Sequence, residues 1–209
     1  MKVGKFITLE GGEGAGKSTQ LTNIKEFLIS KGIDVITTRE PGGSAGGEAI
    51  RSLHVLGDPD RWDAVSEALL MNAARRDHIV RLIRPAMESG KWVVCDRYAD
   101  STLAYQGYAG GVAIEKLNAL YDFISDGLSP DLTVVFDIDP EVGISRSFGR
   151  SNNETRFEQK NMEFHQKIRQ GFLKIASENS QRCKVVDASQ KQDIIKQELL
   201  DLITKKFDL

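Results

Sequence analysis

Cysteine and long hydrophobic runs are both scarce in this sequence. Its 209 residues include two cysteines, Cys95 and Cys183, each in a short apolar stretch. Two isolated thiols make neither a disulfide framework nor a metal-ligand pair, so we expect both to be buried and reduced. A membrane-spanning helix needs roughly 20 consecutive apolar residues, and no stretch approaches that length. The sequence therefore predicts no membrane partner.

An excess of positive charge is also missing. Lysine and arginine number 28 and aspartate and glutamate number 30, so the formal net charge is −2. Proteins that hold nucleic acid by bulk electrostatics usually carry a basic surplus, so we expect no nucleic-acid partner. The first residues lead directly into an apolar stretch and do not resemble a signal peptide. These features predict a cytoplasmic protein, and its length fits a single domain spanning residues 1–209.

The three histidines, His54, His78 and His165, form no pair with metal-ligand spacing. No serine or cysteine nucleophile motif accompanies them. We therefore expect all three to be structural.

Short apolar segments alternate with segments of helical periodicity. The predicted strands are Phe6–Leu9, Val35–Thr38, Trp92–Asp96, Leu132–Asp137 and Lys184–Val186. The predicted helices lie near Lys17–Ser30, Gly47–Leu56, Ala64–Ser89, Ile114–Ser125, Glu141–Phe148, Gln159–Asn179 and Asp193–Phe207. Continuous apolar strands separated by helices indicate an α/β fold, here a five-stranded parallel sheet with helices on both faces. A polar stretch, Arg150–Arg156, interrupts the pattern and predicts a short mobile lid at about residues 146–158.

The most informative motif follows the first predicted strand. Residues 11–18 read G-G-E-G-A-G-K-S, which matches G-x-x-x-x-G-K-[ST] between a strand and a helix. In such a loop the backbone amides and the helix N-terminus surround phosphate oxygens, the lysine reaches the β- and γ-phosphates, and the serine hydroxyl serves Mg²⁺. The sequence thus predicts an ATP-binding loop, with these contributing residues: Gly11, Gly12, Glu13, Gly14, Ala15, Gly16, Lys17, Ser18 and Thr19.

Charged residues close two further strands. Asp96 and Arg97 follow the third predicted strand, and Glu40 follows the second. Ligands of an open parallel sheet bind beyond the carboxyl ends of its strands, so these side chains should face the glycine loop. We expect Asp96 to share the Mg²⁺ shell with Ser18, and Arg97 to bind phosphate through its forked donors.

Arginines fall into two groups around this loop. Arg51, Arg75, Arg76 and Arg97 form the first, and Arg146, Arg150 and Arg156 bracket the polar stretch. Two groups of cations around one phosphate loop indicate two phosphate-bearing substrates and hence phosphoryl transfer, in which catalysis is largely positioning and charge neutralisation.

Together these motifs resemble the bacterial thymidylate kinases, a family of P-loop nucleoside monophosphate kinases. The resemblance runs from Phe6 to near the C-terminus. The segments that carry it are Glu10–Ser18, Thr38–Gly43, Ala73–Arg75, Asp96–Tyr98, Ala104–Gly107, Pro130–Thr133, Arg156–Gln159, Phe164–His165 and Val186–Ala188.

The resemblance implies transfer of the ATP γ-phosphoryl group to dTMP with Mg²⁺, giving dTDP for dTTP synthesis, and it implies a homodimer. It places the deoxyribose 3′-hydroxyl at Glu13, and the 5′-phosphate at Arg97 with Glu40 close by. It implies these further acceptor-site residues: Arg51, Arg75, Ser101, Thr102 and Gln106.

The resemblance also assigns the catalytic charges. Lys17 and Arg97 would be joined by Arg150 and Arg156 at the ATP phosphates, with Arg146 also in the ATP site. The loop position after Glu13 is Gly14 rather than arginine, so the remaining charge is expected from the lid.

Two positions depart from the family pattern. Members usually carry a phenylalanine whose ring stacks on thymine, and this chain has Met71 there. The lesser departure is Asn72, where a small residue is more usual. Two alternatives to thymidylate phosphorylation stay open at this point. One is a kinase for another nucleotide or a deoxynucleoside, and the other is a P-loop nucleotide-dependent switch protein. A guanine-reading Asn-Lys-x-Asp segment, which a GTP switch needs, does not occur in the sequence.

Overall fold

Five apolar stretches form one sheet in the computed structural model, which describes residues 3–58, 60–147 and 156–209. The strands are β1 (Phe6–Gly11), β2 (Val35–Arg39), β3 (Trp92–Asp96), β4 (Leu132–Asp137) and β5 (Cys183–Asp187). All neighbours are parallel, and the spatial order is β2-β3-β1-β4-β5. The predicted five-stranded parallel sheet is therefore confirmed.

The central strand sets the place of the site. Every residue of β1 is buried, because helices cover both faces of the sheet. β2 and β3 lie on one side of β1, and β4 and β5 lie on the other. The direction in which strands are added thus reverses at β1, and the carboxyl end of such a strand opens into a crevice. The glycine loop begins at that end.

The helices pack as two layers. Their bounds are α1 (Lys17–Ser30), α2 (Ala45–Val55), α3 (Ala64–His78), α4 (Arg84–Glu88), α5 (Ala99–Thr102), α6 (Ile114–Ser125), α7 (Pro140–Ser147), α8 (Met162–Glu178) and α9 (Gln192–Phe207). Helices α1 and α9 cover one face through Ile24, Leu28, Leu199 and Ile203. Helix α8 covers the other face together with Ile79 and Ile83, which directly follow α3.

The predicted helix at residues 64–89 contains a widened turn. Helix α3 continues through a π-helical turn, Ile79–Ile83, into α4. There the Arg84 N–H donates to the Ile79 carbonyl, five residues back. Pro85 follows directly and has no N–H to continue the normal ladder, which gives the turn a local cause.

Residues 99–109 are helical although the periodicity did not predict a helix there. Helix α5 runs directly into a second π-helical turn, Leu103–Ala109. The segment packs against α8, where Gly171 lies under the Tyr108 side chain. Tertiary packing therefore overrides a weak local pattern.

Both cysteines are buried free thiols, as predicted. Burial raises the pKa of Cys95 well above its ordinary value and that of Cys183 to about 11. Within the three described ranges, no helix has the length and apolar character needed to cross a membrane.

Candidate active site

The glycine loop is shaped by contact with helix α7. Gly14 has a φ of +63°, and a Cβ at this position would collide with the Gly143 carbonyl oxygen. Gly16, which precedes α1, has a φ of +85°. Both residues therefore need the conformational freedom of glycine. The same contact explains physically why position 14 carries no arginine side chain.

Lys17 is the first residue of α1, and its side chain lies over the loop. Its Nζ donates to the carbonyl oxygens of Gly11 (3.2 Å) and Gly12 (2.8 Å). Burial, together with the nearby charge of Arg97, lowers the pKa of Lys17 to about 8. The lysine is thus a cation held inside the cradle of backbone amides at the helix N-terminus.

Ser18 and Asp96 meet across the gap between the loop and β3. The Ser18 hydroxyl donates to Asp96 Oδ2 at 3.1 Å. The sequence predicted that these two oxygen donors would come together, and the structure brings them together. Hydroxyl and carboxylate oxygens at the mouth of a phosphate loop suit a hard divalent cation.

Arg97 has a strained backbone and a fixed side chain. Its φ is +66°, which is uncommon for a residue other than glycine. Its Nη2 contacts Glu13 Oε1 at 2.8 Å, and its Nη1 donates to the Gly11 carbonyl at 2.7 Å. The guanidinium group also lies over the Tyr105 ring. Such strain at a site residue persists only when the surroundings hold it in place.

Glu10, near the end of β1, fixes the backbone that follows Arg97. Its fully buried carboxylate accepts hydrogen bonds from the Tyr98 and Ser101 amides, at 2.7 and 3.3 Å, and from the Ser101 hydroxyl at 2.5 Å. Burial and the neighbouring Asp100 raise the pKa of Glu10 to about 8. The sequence marks Glu10 only as the first residue of the glycine-loop motif, and this anchoring role becomes visible only in the fold.

Glu13 has an unusually acidic carboxyl group. Burial alone would raise its pKa, but the positive charges of Arg97 and Lys17 outweigh burial and lower the pKa to about 2. The Tyr105 hydroxyl donates to the same Oε1 at 2.7 Å. Tyr105 was not among the predicted site residues, although it lies inside the quoted Ala104–Gly107 segment.

Helix α3 presents one polar face to the cavity side. Glu67, Met71, Arg75 and His78 are spaced by four, four and three residues, so they share a face of the helix. All four are buried. Met71 keeps 7% of its surface exposed and lines the cavity, so it forms part of the wall.

Arg75 joins the acceptor-side residues into a network. Its Nε donates to Glu40 Oε2 at 2.8 Å, and its Nη2 donates to the Tyr98 carbonyl and the Thr102 hydroxyl. Glu40 Oε1 contacts His78 Nδ1 at 3.0 Å. Glu40 was expected close to Arg97. In the structure its carboxylate is instead bound by Arg75 and His78.

Arg156 was predicted to lie in a mobile lid, but the structure places its side chain in the interior. Its side chain is fully buried, and its Nη2 contacts Glu67 Oε1 at 2.6 Å. It also donates to the carbonyls of His54 and Asp58, at 3.1 and 3.0 Å. The prediction that Arg156 lies on a mobile surface lid was therefore wrong. The polar residues before it suggested a surface loop, and no feature of the sequence indicated these buried acceptors. Its catalytic role stays a prediction, and Arg150 lies outside the described residues.

One cavity gathers most of the predicted residues at the carboxyl ends of β1, β2 and β3. Its predicted lining residues are Glu13, Gly14, Ala15, Gly16, Lys17, Ser18, Glu40, Arg51, Met71, Arg75, Asp96, Arg97, Ser101, Thr102 and Gln106. Gly11, Gly12, Thr19 and Arg146 are not among its lining residues. Arg146 instead donates to the Ala188 carbonyl, just beyond β5.

Three aromatic or imidazole side chains complete the wall without having been predicted there. Tyr105 and Phe157 pack edge to face, with ring centroids 5.6 Å apart. His54 lies 5.0 Å from Phe157, and burial with the charges of Arg156 and Arg51 lowers its pKa to about 3. The cavity therefore combines a charged end at the glycine loop with an apolar end between α2, α3 and residue 157.

Comparisons with known proteins agree with this geometry. The family model described as "Thymidylate kinase" matches residues 9–199. A thymidylate kinase from Caulobacter vibrioides is 47% identical over 209 residues, covering 100% of both chains. One from Magnetococcus marinus is 50% identical over 187 residues, covering 90% of this chain and 89% of the relative. A crystal structure of thymidylate kinase from Ehrlichia chaffeensis gives a TM-score of 0.77 at 33% identity, covering 96% and 99% of the two chains.

Proposed function

The chain belongs to the thymidylate kinase family and transfers a phosphoryl group from ATP to dTMP, and from that premise we propose how its cavity divides between the two substrates. The ATP phosphates bind the glycine loop and Lys17. The dTMP 5′-phosphate binds at Arg97, and the thymine base binds at the apolar end. Family membership decides against the switch protein and the other kinases that the sequence left open.

One observation carries this division. Lys17 and Arg97 both donate to the Gly11 carbonyl, and the charges of both lower the pKa of Glu13, so two fixed cations meet at the glycine loop. Lys17 belongs to the loop side, and Arg97 belongs to the β3 side. A phosphoryl group passing between an ATP on the loop and a phosphate at Arg97 would cross the space between these two cations.

The residues present fit a magnesium ion. Across the described ranges, no three His, Cys, Asp or Glu side chains cluster as a metal cage. Mg²⁺ in nucleotide kinases usually takes only one or two protein oxygens, with substrate phosphates and water completing its shell. Ser18 and Asp96 offer two such oxygens 3.1 Å apart. Bound there, Mg²⁺ would neutralise charge on the ATP phosphates.

The proposed chemistry needs positioning more than acid–base catalysis. The attacking oxygen belongs to a phosphate that is already ionised, so a strong general base is not required. Negative charge spreads over the transferring group, and preorganised cations stabilise it most in that state. Lys17 and Arg97 are preorganised in this sense, because Lys17 is buried, Arg97 is partly buried, and both are hydrogen-bonded to the loop. Further charge from Arg150 and Arg156 remains part of the proposal.

At the acceptor end, Arg75, Thr102 and Gln106 form the polar part of the proposed base site, and Met71 forms an apolar part. Glu13 is proposed to accept the deoxyribose 3′-hydroxyl. Its oxygen Oε1 is held by Arg97 and Tyr105, so the carboxylate is fixed in place. Arg51, whose Nη1 donates to the Pro41 carbonyl at 2.8 Å, is placed at the cavity edge.

Replacing Met71 with phenylalanine tests where the base lies. A ring placed against thymine should add roughly 0.5–1.5 kcal/mol beyond area burial, which is up to about tenfold in affinity. Calorimetric titration should then show tighter dTMP binding and unchanged ATP binding. Thermal melting of both proteins provides the control, because overpacking would lower the melting temperature. Weaker or unchanged dTMP binding with lost stability would place the base elsewhere.

We further propose a homodimer that works in the cytoplasm. Val65, Leu69 and Val80 on and after α3 are 56%, 55% and 42% exposed, and Phe123 on α6 is 81% exposed. Helices α3 and α6 are adjacent, since Arg76 donates to the Ile124 carbonyl. This apolar face is suited to a second copy of the chain. Sedimentation should give twice the 23.2 kDa chain mass, and a monomer at micromolar concentration would contradict the proposal.

A further inference from the structure

A buried chain of three side chains runs from residue 156 to the base end of the cavity. Arg156 Nη2 contacts Glu67 Oε1 at 2.6 Å, and Gln106 Nε2 donates to Glu67 Oε2 at 2.8 Å. Glu67 is 6% exposed, and Gln106 is 2% exposed. Gln106 lines the cavity, whereas Glu67 stands behind it. Of these two partners of Glu67, Gln106 lines the cavity and Arg156 does not, so Gln106 connects Glu67 to the cavity.

The donor and acceptor groups of these three side chains determine the direction of each hydrogen bond between them. A guanidinium group can only donate hydrogen bonds, and an ionised carboxylate can only accept them. Because Glu67 is paired with Arg156, it presents an acceptor to Gln106. The Gln106 amide must therefore turn its nitrogen toward Glu67 and its oxygen the other way. Donor and acceptor chemistry therefore determines the orientation of this amide.

The Gln106 oxygen is open to the cavity. It makes no hydrogen bond to the residues that the structure describes. It is also absent from the buried polar side-chain atoms without a partner in those residues, which are His54 Nδ1, the Tyr98 hydroxyl and His165 Nε2. An amide oxygen that has no hydrogen bond and is not fully buried can accept a hydrogen bond from a ligand in the cavity.

We propose that Glu67 is a positioning residue for acceptor-base specificity, because it holds the Gln106 amide with its oxygen toward the base. This inference rests on the proposed placement of the base at Gln106. Thymine and uracil carry a donor at N3, whereas cytosine carries an acceptor there. An amide oxygen at this point accepts from the first two bases and opposes the third. A site built to hydrogen-bond one base pattern rejects another because its own buried polar group is left unpaired.

The isosteric substitution Glu67→Gln should reverse the amide. Arg156 still requires an acceptor, so the new side chain turns its oxygen toward Arg156 and its nitrogen toward Gln106. Gln106 must then offer its oxygen to that nitrogen and turn its own nitrogen into the cavity. The base site would present a donor at the place where the wild-type protein presents an acceptor.

The test is the ratio of kcat/KM values for dTMP, dUMP and dCMP in the wild-type protein and in Glu67→Gln. The dTMP-to-dCMP ratio should fall about tenfold or more, because an unpaired buried donor opposes thymine N3–H. The dTMP-to-dUMP ratio should not change, because these two bases share the same hydrogen-bonding edge. A loss that is equal for all three acceptors, or no change in either ratio, would overturn the proposal.

Two further variants separate positioning from simple loss of structure. In a Gln106→Met background, Glu67→Gln should no longer change the dTMP-to-dCMP ratio. Arg156→Met removes the ion pair without putting a donor in place of the Glu67 carboxylate, so it should lower the melting temperature and change the ratio less than Glu67→Gln does. If Arg156→Met shifts the ratio as much as Glu67→Gln does, reversal of the Gln106 amide is not what sets the ratio. If Gln106→Met leaves dTMP kinetics unchanged, the base is not at Gln106, and the proposed placement fails first.

A measurement on the wild-type protein covers the case in which Glu67→Gln does not fold. In the complex with dTMP, the thymine imino proton should be visible by NMR and protected from exchange. The Gln106 side-chain amide protons should keep the signals that they have without dTMP, since their bond to Glu67 persists. An unprotected imino proton, or a large shift of the Gln106 amide protons, would contradict the proposed orientation.

Discussion

Replacing Lys17 with methionine should lower kcat by roughly a hundredfold or more and leave the melting curve intact, by analogy with the loss of one preorganised electrostatic donor. The lysine Nζ lies over the loop, bound to the Gly11 and Gly12 carbonyls. Methionine fills a similar volume but removes the charge that the transferring phosphoryl group needs. Lys25→Met is the matched control, because Lys25 is exposed on the same helix. Turnover close to normal in Lys17→Met would refute the assignment.

The pH dependence of the wild-type protein tests the same side chain. Burial and Arg97 lower the pKa of Lys17 from its ordinary value to about 8. Because the pH profile of kcat/KM reports groups of the free enzyme, kcat/KM for ATP should decline as the pH rises through about 8 and Lys17 loses its proton. A profile that stays flat to pH 10 would show that Lys17 keeps its charge or does not contribute.

Replacing Arg97 with asparagine should lower kcat/KM for dTMP by roughly a hundredfold or more, while ATP binding changes little. Arg97 carries the fixed positive charge on the β3 side of the cavity. Asparagine is chosen because it tolerates the left-handed backbone, so the φ of +66° need not change. The variant therefore separates the guanidinium charge from the strain of the turn.

Two controls complete this experiment. Arg81→Asn removes an arginine whose side chain is 74% exposed and whose ion pair with Asp77 spans 3.8 Å, and a surface pair of this kind contributes about 0–1 kcal/mol. It should leave the kinetics unchanged. Arg97→Lys keeps a positive charge but loses the forked guanidinium group that contacts Glu13 and Gly11 together. Its kcat/KM for dTMP should therefore lie between the values of the wild-type protein and Arg97→Asn. Normal kcat/KM for dTMP in Arg97→Asn would remove Arg97 from the acceptor site.

The sequence predicted the sheet because apolar runs buried on both faces have a clear signature. All five strands lie where the pattern placed them, and β3 and β4 have the predicted bounds. The Ser18–Asp96 contact was also predictable, because parallel strands end at the same edge of a sheet. The segment at residues 99–109 was not, because its helix depends on packing against α8 and not on a regular apolar period.

The buried polar pairs could not be predicted for a related reason. Arg156 follows a polar stretch that suggests a surface position. Its actual partners, Glu67 and two backbone carbonyls, are 89 to 102 residues away in sequence, so no local pattern could identify them. Glu40 pairs with Arg75 because the last turn of α3 lies at the carboxyl end of β2, where His78 also contacts Thr38, and only the assembled fold creates this proximity. The sequence identifies charged residues, and the fold decides which charge faces which.

Following the γ-phosphoryl group itself shows which acceptor this kinase phosphorylates. ATP labelled at the γ-phosphate is mixed with Mg²⁺ and equal concentrations of dTMP, dCMP, AMP and thymidine in one reaction, and the products are separated by chromatography. We expect the label to appear predominantly in dTDP, and we expect Lys17→Met and Arg97→Asn both to suppress its appearance. Label that appears mainly in another nucleotide, or only in inorganic phosphate, would contradict this expectation.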